Sequence, residues 1–365
     1  MITHIGIRNF KSLKNINTEI KHLNLLMGLN GMGKSSFLQM ILLLMQSDKL
    51  EDRVIDLNGI LAQIGQGRDA LYQYAIKDQI EFDIQLNKTR NFSWVFNYHT
   101  DKDKLTAEIG YSKGDMEFFR NQTKVFQYIS ADRIGPKDLY DASSVVVADK
   151  KQLGLLGEYA AYFINVFGAN YQVDEALIHP KARSKSLNAQ INAWLKEISP
   201  GVSLNTKYVP EANKVILDYQ FDIIGNKTNS FRPKNVGFGI SYVLPIILAL
   251  LTAEEGKIII IENPESHIHP RGQAELGKLI ALAAQSKAQI FAETHSDHIL
   301  NGIRVAVKEN NINKEDVNVL YFDKTTNEDE SYTNIHKLSI DKYGTLSDEP
   351  EGLLDEWGTQ LLKLL

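Results

Sequence analysis

The sequence contains no cysteine among its 365 residues. Disulfides, thiolate zinc sites and cysteine nucleophiles are therefore excluded, and nothing indicates an oxidising compartment. Long apolar runs are also missing, because the stretch from Ile240 to Leu251 contains Ser241 and Pro245 and falls short of the ~20 residues that a bilayer requires. We therefore expect a cytoplasmic protein without a membrane partner.

A strong charge of one sign is absent too. The chain has 40 Lys and Arg residues against 45 Asp and Glu residues, for a net charge of −5. This balance excludes a broadly basic nucleic-acid coat protein, although it allows a local basic patch. No heptad pattern persists over several turns, so we expect no long coiled-coil arm.

The spacing of apolar residues predicts an α/β fold. A fully apolar strand, Leu23 to Met27, precedes a helix from Ser35 to Gln46. Four polar-spaced segments, the last from Met116 to Arg120, predict an antiparallel sheet. Helical patterns follow at Leu153 to Phe167 and Leu187 to Ile198. From Lys257 onward strands and helices alternate, which predicts a mostly parallel sheet covered by helices.

A glycine-rich motif runs from Gly28 to Ser35, between the first buried strand and its helix. It has two glycines four apart followed by Lys and Ser, which is the phosphate-loop pattern. The loop backbone would surround phosphate oxygens, Lys34 would reach the β- and γ-phosphates, and Ser35 would bind Mg²⁺. The motif predicts ATP and Mg²⁺ as cofactors, with the nucleotide held by Asn30, Gly31, Gly33, Lys34, Ser35 and Ser36.

Two later strands end in residues that fit such a loop. Glu262 follows the apolar strand Ile258 to Ile261, and a carboxylate there can hold Mg²⁺ together with Ser35. His295 stands at the end of the next apolar strand, where it could contact the γ-phosphate. We predict Glu262 as a metal-side residue and His295 as a catalytic one.

Further segments carry a family resemblance. They are Ile7 to Leu13, Ile129 to Pro136, Val236 to Ser241 and Glu262 to Pro270. Together with the phosphate loop, they resemble the ABC-type ATPases of the RecF, SMC and overcoming-lysogenization-defect group. More narrowly, the chain is similar to a bacterial branch of stand-alone AAA-family ATPases, several of which are linked to anti-phage defence.

This resemblance implies an ABC-type P-loop NTPase head with a mixed or parallel central sheet, an antiparallel β subdomain and a short helical insertion. We assign an ATPase lobe to 1–150, the insertion to 151–232 and a second lobe to 233–365. In the group, ATP is sandwiched between two heads, and a signature segment of one head faces the nucleotide of the other. Here the signature segment is expected to be a loop before a helix at Tyr242 to Leu251. Its expected nucleotide contacts are Gly237, Gly239 and Ser241. Because the resemblance implies that these residues face the nucleotide of a second head, we expect a head-to-tail homodimer.

The sequence departs from the group at the residue that acts as the general base for ATP hydrolysis. The residue after the metal-side acid is commonly Glu, whereas here it is Asn263, which can orient water without accepting its proton. Glu265 could supply the carboxylate instead. We therefore predict slow hydrolysis by an ATPase that uses ATP mainly as a conformational clamp. A glutamine near the γ-phosphate is also expected in the group, and Gln46, Gln63 and Gln66 are all candidates.

No segment resembles the metal-binding nuclease domain of nuclease relatives, so a separately encoded effector, such as a nuclease, is the expected partner. The acidic tail around Trp357 is expected to be a solvated face or a docking segment. Nucleic acid is a further candidate partner through a basic run, which consists of Lys181, Arg183 and Lys185, with Arg232 and Lys234 as additions. Two alternatives remain open: a RecF-like DNA repair or recombination ATPase, and a regulatory ATP-binding module with little hydrolysis.

Overall fold

The computed structural model describes residues 1–47, 50–112, 116–120, 125–350, 353 and 360–364. The chain divides into two compact units. The first unit comprises 1–122, 317–339 and 346–365, and the second comprises 123–316 and 340–345. The segments 1–150, 151–232 and 233–365 that we assigned from the sequence stay a prediction.

The helices and strands follow one another along the chain in the order given below. Residues 1–122 contain β1 (Ile2–Phe10), β2 (Leu13–Glu19), β3 (Leu23–Met27), α1 (Lys34–Gln46), β4 (Val54–Asp56), α2 (Gly67–Ala70), β5 (Gln79–Leu86), β6 (Arg90–Asn97), β7 (Lys104–Ala107) and α3 (Glu117–Arg120). Residues 123–316 contain β8 (Phe126–Ile129), β9 (Tyr140–Asp141), α4 (Ala160–Phe167), α5 (Leu187–Ile198), β10 (Val202–Val209), β11 (Lys214–Ile223), β12 (Asn226–Lys227), α6 (Phe238–Leu251), β13 (Ile258–Glu262), α7 (Pro270–Gln285), β14 (Gln289–Glu293) and α8 (Asp297–Lys308). The chain then returns to the first unit with β15 (Val317–Thr326) and β16 (Ser331–Leu338).

The first unit contains the predicted antiparallel sheet, with strand order β2-β1-β5-β6-β7-β4. Strand β5 alternates between buried and partly exposed residues, as expected when one face covers a core. Elsewhere in this unit, β15 pairs with β3 in parallel and with β16 in antiparallel fashion. The sequence analysis did not predict β16, which follows the acidic loop after β15.

One predicted strand of the first unit is wrong. The segment from Met116 to Arg120 contains helix α3 instead. Met116 and Phe119 are both buried and stand three residues apart, which is helical spacing. Phe119 packs edge-on against the rings of Phe92 and Trp94. Burial of the aromatic ring in this cluster therefore favours a helix over an additional strand.

The second unit contains the predicted parallel strands, with β13 pairing with β8 on one side and β14 on the other. The residues Ile258 to Ile261 are fully buried in β13. Strands β10 and β11 form an antiparallel hairpin. The helix predicted from Leu153 begins only at Ala160 because Gly154 and Gly157 adopt positive φ angles of 82° and 71°.

No helix in the described part of the chain is long and apolar enough to cross a membrane. The residues of the predicted tail around Trp357 lie outside the described residues.

Candidate active site

The phosphate loop of the first unit connects β3 to α1, as the motif predicts. Gly28, Gly31 and Gly33 adopt φ angles of 134°, 76° and 97°, which side chains with a Cβ rarely adopt. A Cβ at Gly28 would also lie 2.2 Å from the carbonyl oxygen of Phe322. Gly33 is the N-cap of α1, and no side chain caps this helix end. The first turn of α1 therefore presents the partial positive charge that binds phosphate.

Lys34 is buried, and its side chain binds the backbone of the phosphate loop. Its Nζ donates hydrogen bonds of 2.8 Å to the carbonyl oxygens of Gly28 and Leu29, and the residue is 3 % exposed. Asn30, Gly31 and Ser35 are exposed around it, and Ser36 is partly exposed. The loop thus combines a buried cation, an uncapped helix end and an accessible Ser35 hydroxyl, which fits a nucleotide phosphate with its metal ion.

Thr333 of β16 supports the phosphate loop, although the sequence analysis did not identify it. Its hydroxyl donates to the carbonyl oxygen of Met32 at 2.9 Å and lies 2.9 Å from the hydroxyl of Ser12. The residue is 2 % exposed, and a Cβ at Gly33 would lie 2.5 Å from its Oγ1. The β-formers Tyr332, Thr333 and Ile335 were the available signal for this strand.

We expect Thr333→Val to weaken nucleotide binding about fivefold, because a net hydrogen bond contributes about 1 kcal/mol and the loop carbonyl loses its donor. Valine has nearly the same shape, so packing changes little. Thr333→Ser keeps the hydroxyl and should bind like the parent. Titration with a fluorescent ATP analogue measures the affinity, and equal affinities for parent and valine variant would contradict the supporting role.

In the second unit, the predicted acid Glu262 ends β13. Its Oε2 accepts a hydrogen bond from the Ala131 backbone N–H at 3.1 Å, and its carboxylate also accepts one from the Tyr128 hydroxyl. Strands β8 and β13 are parallel neighbours, so the residues after β8 lie at the same edge as Glu262. Burial raises the pKa of the Glu262 carboxyl. A bound cation would offset this cost of ionisation.

Asn263 occupies the position where the base is expected. Its φ is 44°, in the left-handed region that asparagine tolerates better than most residues. Its N–H donates to the carbonyl oxygen of Glu293 at 2.8 Å. The side-chain Oδ1 is buried without a hydrogen-bond partner among the described residues. An amide oxygen in this position can accept a hydrogen bond from water but cannot remove its proton.

Glu265 lies beside the second predicted strand end. One carboxylate oxygen accepts from the Thr294 hydroxyl at 2.7 Å, and the other accepts from the backbone N–H of His295 at 2.8 Å. The His295 side chain is exposed. The structure therefore brings Glu262, Asn263, Glu265 and His295 together at the carboxyl edge of β13 and β14, and Glu265 fixes the segment that presents His295.

Arg133 organises the same edge, although the sequence analysis quoted its segment without assigning it a role. It is 2 % exposed and donates to the carbonyl oxygens of Ser130, Glu262 and Asn263 at 3.0, 2.6 and 2.7 Å. Burial lowers the pKa of its guanidinium to about 10, so the group stays protonated at neutral pH. An arginine four residues after a buried strand was the available signal.

The signature segment differs from its predicted form. It is not a loop before Tyr242, because α6 begins at Phe238 and its cap is Gly237. A Cβ at Gly239 would lie 2.2 Å from the carbonyl oxygen of His267, whereas Gly237 has no neighbouring atom within 4 Å of the corresponding position. Gly239 thus permits close packing inside the unit, and Gly237 faces open space.

Arg133 also contacts this helix. Its guanidinium lies 5.9 Å from the ring centre of Tyr242, and that ring packs 4.7 Å from the ring of His267. Ser241 is buried on the same helix. Nucleotide contact by Gly237, Gly239 and Ser241 stays a prediction, with Gly237 the most accessible of the three.

Comparisons with known proteins identify the family of the chain. A family model described as an AAA domain, putative AbiEii toxin of a type IV toxin–antitoxin system, matches residues 23–301. The chain belongs to this AAA-domain family. A second model, a protein of unknown function termed DUF3696, matches residues 312–364. A search of curated proteins gives no match.

Solved structures share the fold of this AAA-domain protein. An SMC head bound to the C-terminal winged-helix domain of ScpA is 12 % identical with a TM-score of 0.57, covering 92 % of this chain and 97 % of that one. An SMC head with an extended coiled coil, bound to the C-terminal domain of ScpA from Pyrococcus furiosus, is 11 % identical with a TM-score of 0.55, covering 100 % and 99 %. The fold is therefore that of an ABC-type P-loop NTPase head, which confirms what the family resemblance implies.

An ATPase of this type binds ATP, usually with Mg²⁺. Among the residues that the structure describes, no group of three His, Asp or Glu side chains is arranged to hold a metal. Mg²⁺ typically keeps several waters and uses few protein ligands beside substrate phosphates. Glu262 carries a carboxylate and Ser35 a hydroxyl, and both are oxygen ligands of the kind that Mg²⁺ binds. That they hold the same ion stays a prediction.

One of the three candidate glutamines of this AAA-domain protein is already engaged. The Gln46 amide donates to the carbonyl oxygens of Asp56 and Ala62, and it accepts from the N–H groups of Leu61 and Ala62. It therefore organises the loop after β4. Gln63 is exposed in that loop, and Gln66 is half-buried before α2. These two remain the candidates for a γ-phosphate contact.

Proposed function

We propose that this AAA-domain ATPase hydrolyses ATP slowly and uses bound ATP to hold two copies together head to tail. The observation that carries the proposal is the Asn263 side chain in the place of the base. Glu265, the nearest alternative carboxylate, already accepts two hydrogen bonds from the segment at Thr294 and His295. Engaged in this way, Glu265 is poorly placed to accept a proton rapidly, so ATP remains bound for long periods.

The start of α6 supports a contact with a second copy. Gly237 is open to solvent, and the adjacent Phe238 is 56 % exposed on the first turn. A helix N-terminus carries partial positive charge and attracts the terminal phosphate of a nucleotide. The phosphate loop of another copy would bring such a phosphate to this turn, and a symmetric pair would contain two ATP molecules.

In cellular terms, we propose a cytoplasmic sensor or scaffold in an anti-phage defence system with a separately encoded effector, such as a nuclease. The description of the matching family as a putative toxin of a toxin–antitoxin system supports a role of this kind. Co-purification with the products of adjacent genes, followed by mass measurement, tests it. Recovery with replication or repair proteins alone would instead favour a RecF-like repair accessory.

The dimer is tested by light scattering during gel filtration. We expect the mass to double on addition of ATP and Mg²⁺, and the turnover to stay below about 1 s⁻¹, under the usual enzyme range. Lys34→Met removes the buried loop cation and should stay monomeric. Lys308→Met, which changes an exposed lysine at the end of α8, is the matched control. ATP binding without a mass change would refute the clamp, and turnover near 10 s⁻¹ would refute slow hydrolysis.

A further inference from the structure

A concave, positively charged surface lies in the second unit, and its lining includes none of the residues predicted for the nucleotide site. We call it the basic groove. It is formed by the segment before α5, by α5 itself and by the β10–β11–β12 hairpins, and its cavity volume is about 200 Å³. Its charged lining residues are Lys181, Arg183, Lys196, Lys227 and Asp222. Three alanines, Asn192 and Ser203 complete the lining.

The cations of the basic groove outnumber its acids. Lys196 pairs with Asp222 at 2.5 Å, and Lys181 pairs with Glu197 at 2.7 Å. Lys227 donates to the Ser203 hydroxyl at 2.9 Å. Within the described part of the chain, neither Arg183 nor Lys227 has a carboxylate at ion-pair distance. Two positive charges therefore remain without a paired carboxylate in a concave surface.

The environment of Asp222 favours the charged form of its carboxyl. Lys196 holds the pKa of the Asp222 carboxyl below its ordinary value, and Lys227 and Arg183 act in the same direction. Three cations from α5, from the hairpin and from the preceding segment thus converge on one carboxylate. Because only one negative charge is present there, a phosphate group can join the same cations.

The uncharged lining indicates which polyanion fits. None of the lining residues is aromatic, so the groove offers no ring on which an exposed base could stack. Its apolar side chains are all alanine, which is too small to serve as the buried anchor of a protein interface. Lysine, arginine, Asn192 and Ser203 are the donor types that contact phosphate oxygens.

We propose that the basic groove binds the phosphodiester backbone of duplex nucleic acid without reading its sequence. This assignment changes the residues that the sequence suggested. Lys185 pairs with Glu175 at 2.5 Å and does not line the groove. Lys234 pairs with Asp138 at 2.5 Å. Arg183 remains a contact, and Lys227 replaces Lys185 as its partner.

The test measures binding of a fluorescent 30-base-pair DNA duplex to the full chain over a range of salt concentrations. Loss of one phosphate contact lowers the salt slope by about 0.9, which corresponds to about eightfold weaker binding at 0.1 M salt. We expect this loss for Arg183→Gln and for Lys227→Gln. Asp222→Asn, which removes the acid from the groove lining, should bind several-fold more tightly. Lys185→Gln is the matched control and should bind like the parent.

The order of affinities decides the outcome. Tighter binding by Asp222→Asn together with weaker binding by both groove variants supports the proposal. Unchanged duplex binding by Arg183→Gln and Lys227→Gln overturns the proposal. It is also overturned if the protein binds an acidic peptide but does not bind the duplex. The Lys34→Met variant should bind the duplex normally, so failure of the ATP clamp and failure of the groove are measured separately.

Discussion

Replacing Asn263 with glutamate should raise the turnover of ATP about 100-fold or more, because a positioned general base typically contributes 10²- to 10⁴-fold. The substitution adds a carboxylate where the side-chain Oδ1 is now buried without a partner. The KM for ATP should change little, since the phosphate loop is untouched. Steady-state phosphate release measures both quantities.

Asn263→Gln is the matched control for this prediction. It has the length of glutamate without a basic carboxylate, so it should stay as slow as the parent. Both variants place a longer side chain at φ 44°, which costs about 1–2 kcal/mol for residues less tolerant of the left-handed region. If Asn263→Glu and Asn263→Gln lose the same stability but differ in turnover, the difference in turnover is due to the carboxylate acting as a base. Equal rates would show that the proton leaves by another route.

Glu265→Gln complements this pair of variants. The glutamine can still accept from the His295 N–H, and its amide can donate to the Thr294 hydroxyl, so the geometry is retained while the charge is lost. If Glu265 supplies the base in the parent, turnover should fall at least tenfold. A turnover equal to that of the parent would show that Glu265 only positions the segment that carries His295.

Glu262→Gln should reduce Mg²⁺-dependent hydrolysis about 100-fold, because it removes the carboxylate that we assign to the metal. The same change should make the nucleotide-free protein more stable at pH 8. Burial raises the pKa of Glu262 in the folded state above that in the unfolded chain. The folded protein therefore retains this proton where the unfolded chain releases it, and stability falls as pH rises through the raised pKa. Glutamine is neutral at every pH and avoids this loss.

Thermal unfolding from pH 4 to pH 8 measures the effect. The melting temperatures of parent and Glu262→Gln should converge at pH 4 and separate as pH rises, with the variant higher. Glu255→Gln, a change at an exposed carboxylate, should track the parent. Added Mg²⁺ and ATP should stabilise the parent more than the variant. A variant that melts below the parent at pH 8 would contradict the cost of burying this charge.

The sequence predicted those parts of the site that depend on local structure. The phosphate loop has the predicted strand before it and the predicted helix after it, and its glycines adopt the positive φ angles that glycine permits. Glu262 and His295 were identified because each follows an all-apolar strand, and parallel strands end at a common edge. The structure places both at that edge in the second unit.

Other features depended on residues far apart in the chain. Thr333 donates to Met32 across 301 positions, and Arg133 donates to Asn263 across 130. The signature was expected as a loop because two glycines suggested a turn. Gly239 instead lies in a helix, where the absence of a side chain lets α6 approach the carbonyl of His267.

The basic groove shows the same division. The charge run alone could not show which of Arg183 and Lys185 contacts nucleic acid, because the two cations lie only two positions apart. Both are exposed in the structure. Tertiary structure pairs Lys185 with Glu175 and brings Lys196 and Lys227 to Arg183. The sequence by itself therefore determined an α/β fold through its apolar spacing and the phosphate loop through its glycine pattern, and the family resemblance added the ABC-type head. Only the tertiary structure decided which charges are paired and which residues, such as Thr333 and Arg133, donate hydrogen bonds to the motif backbone. Those contacts join segments that are distant in the chain.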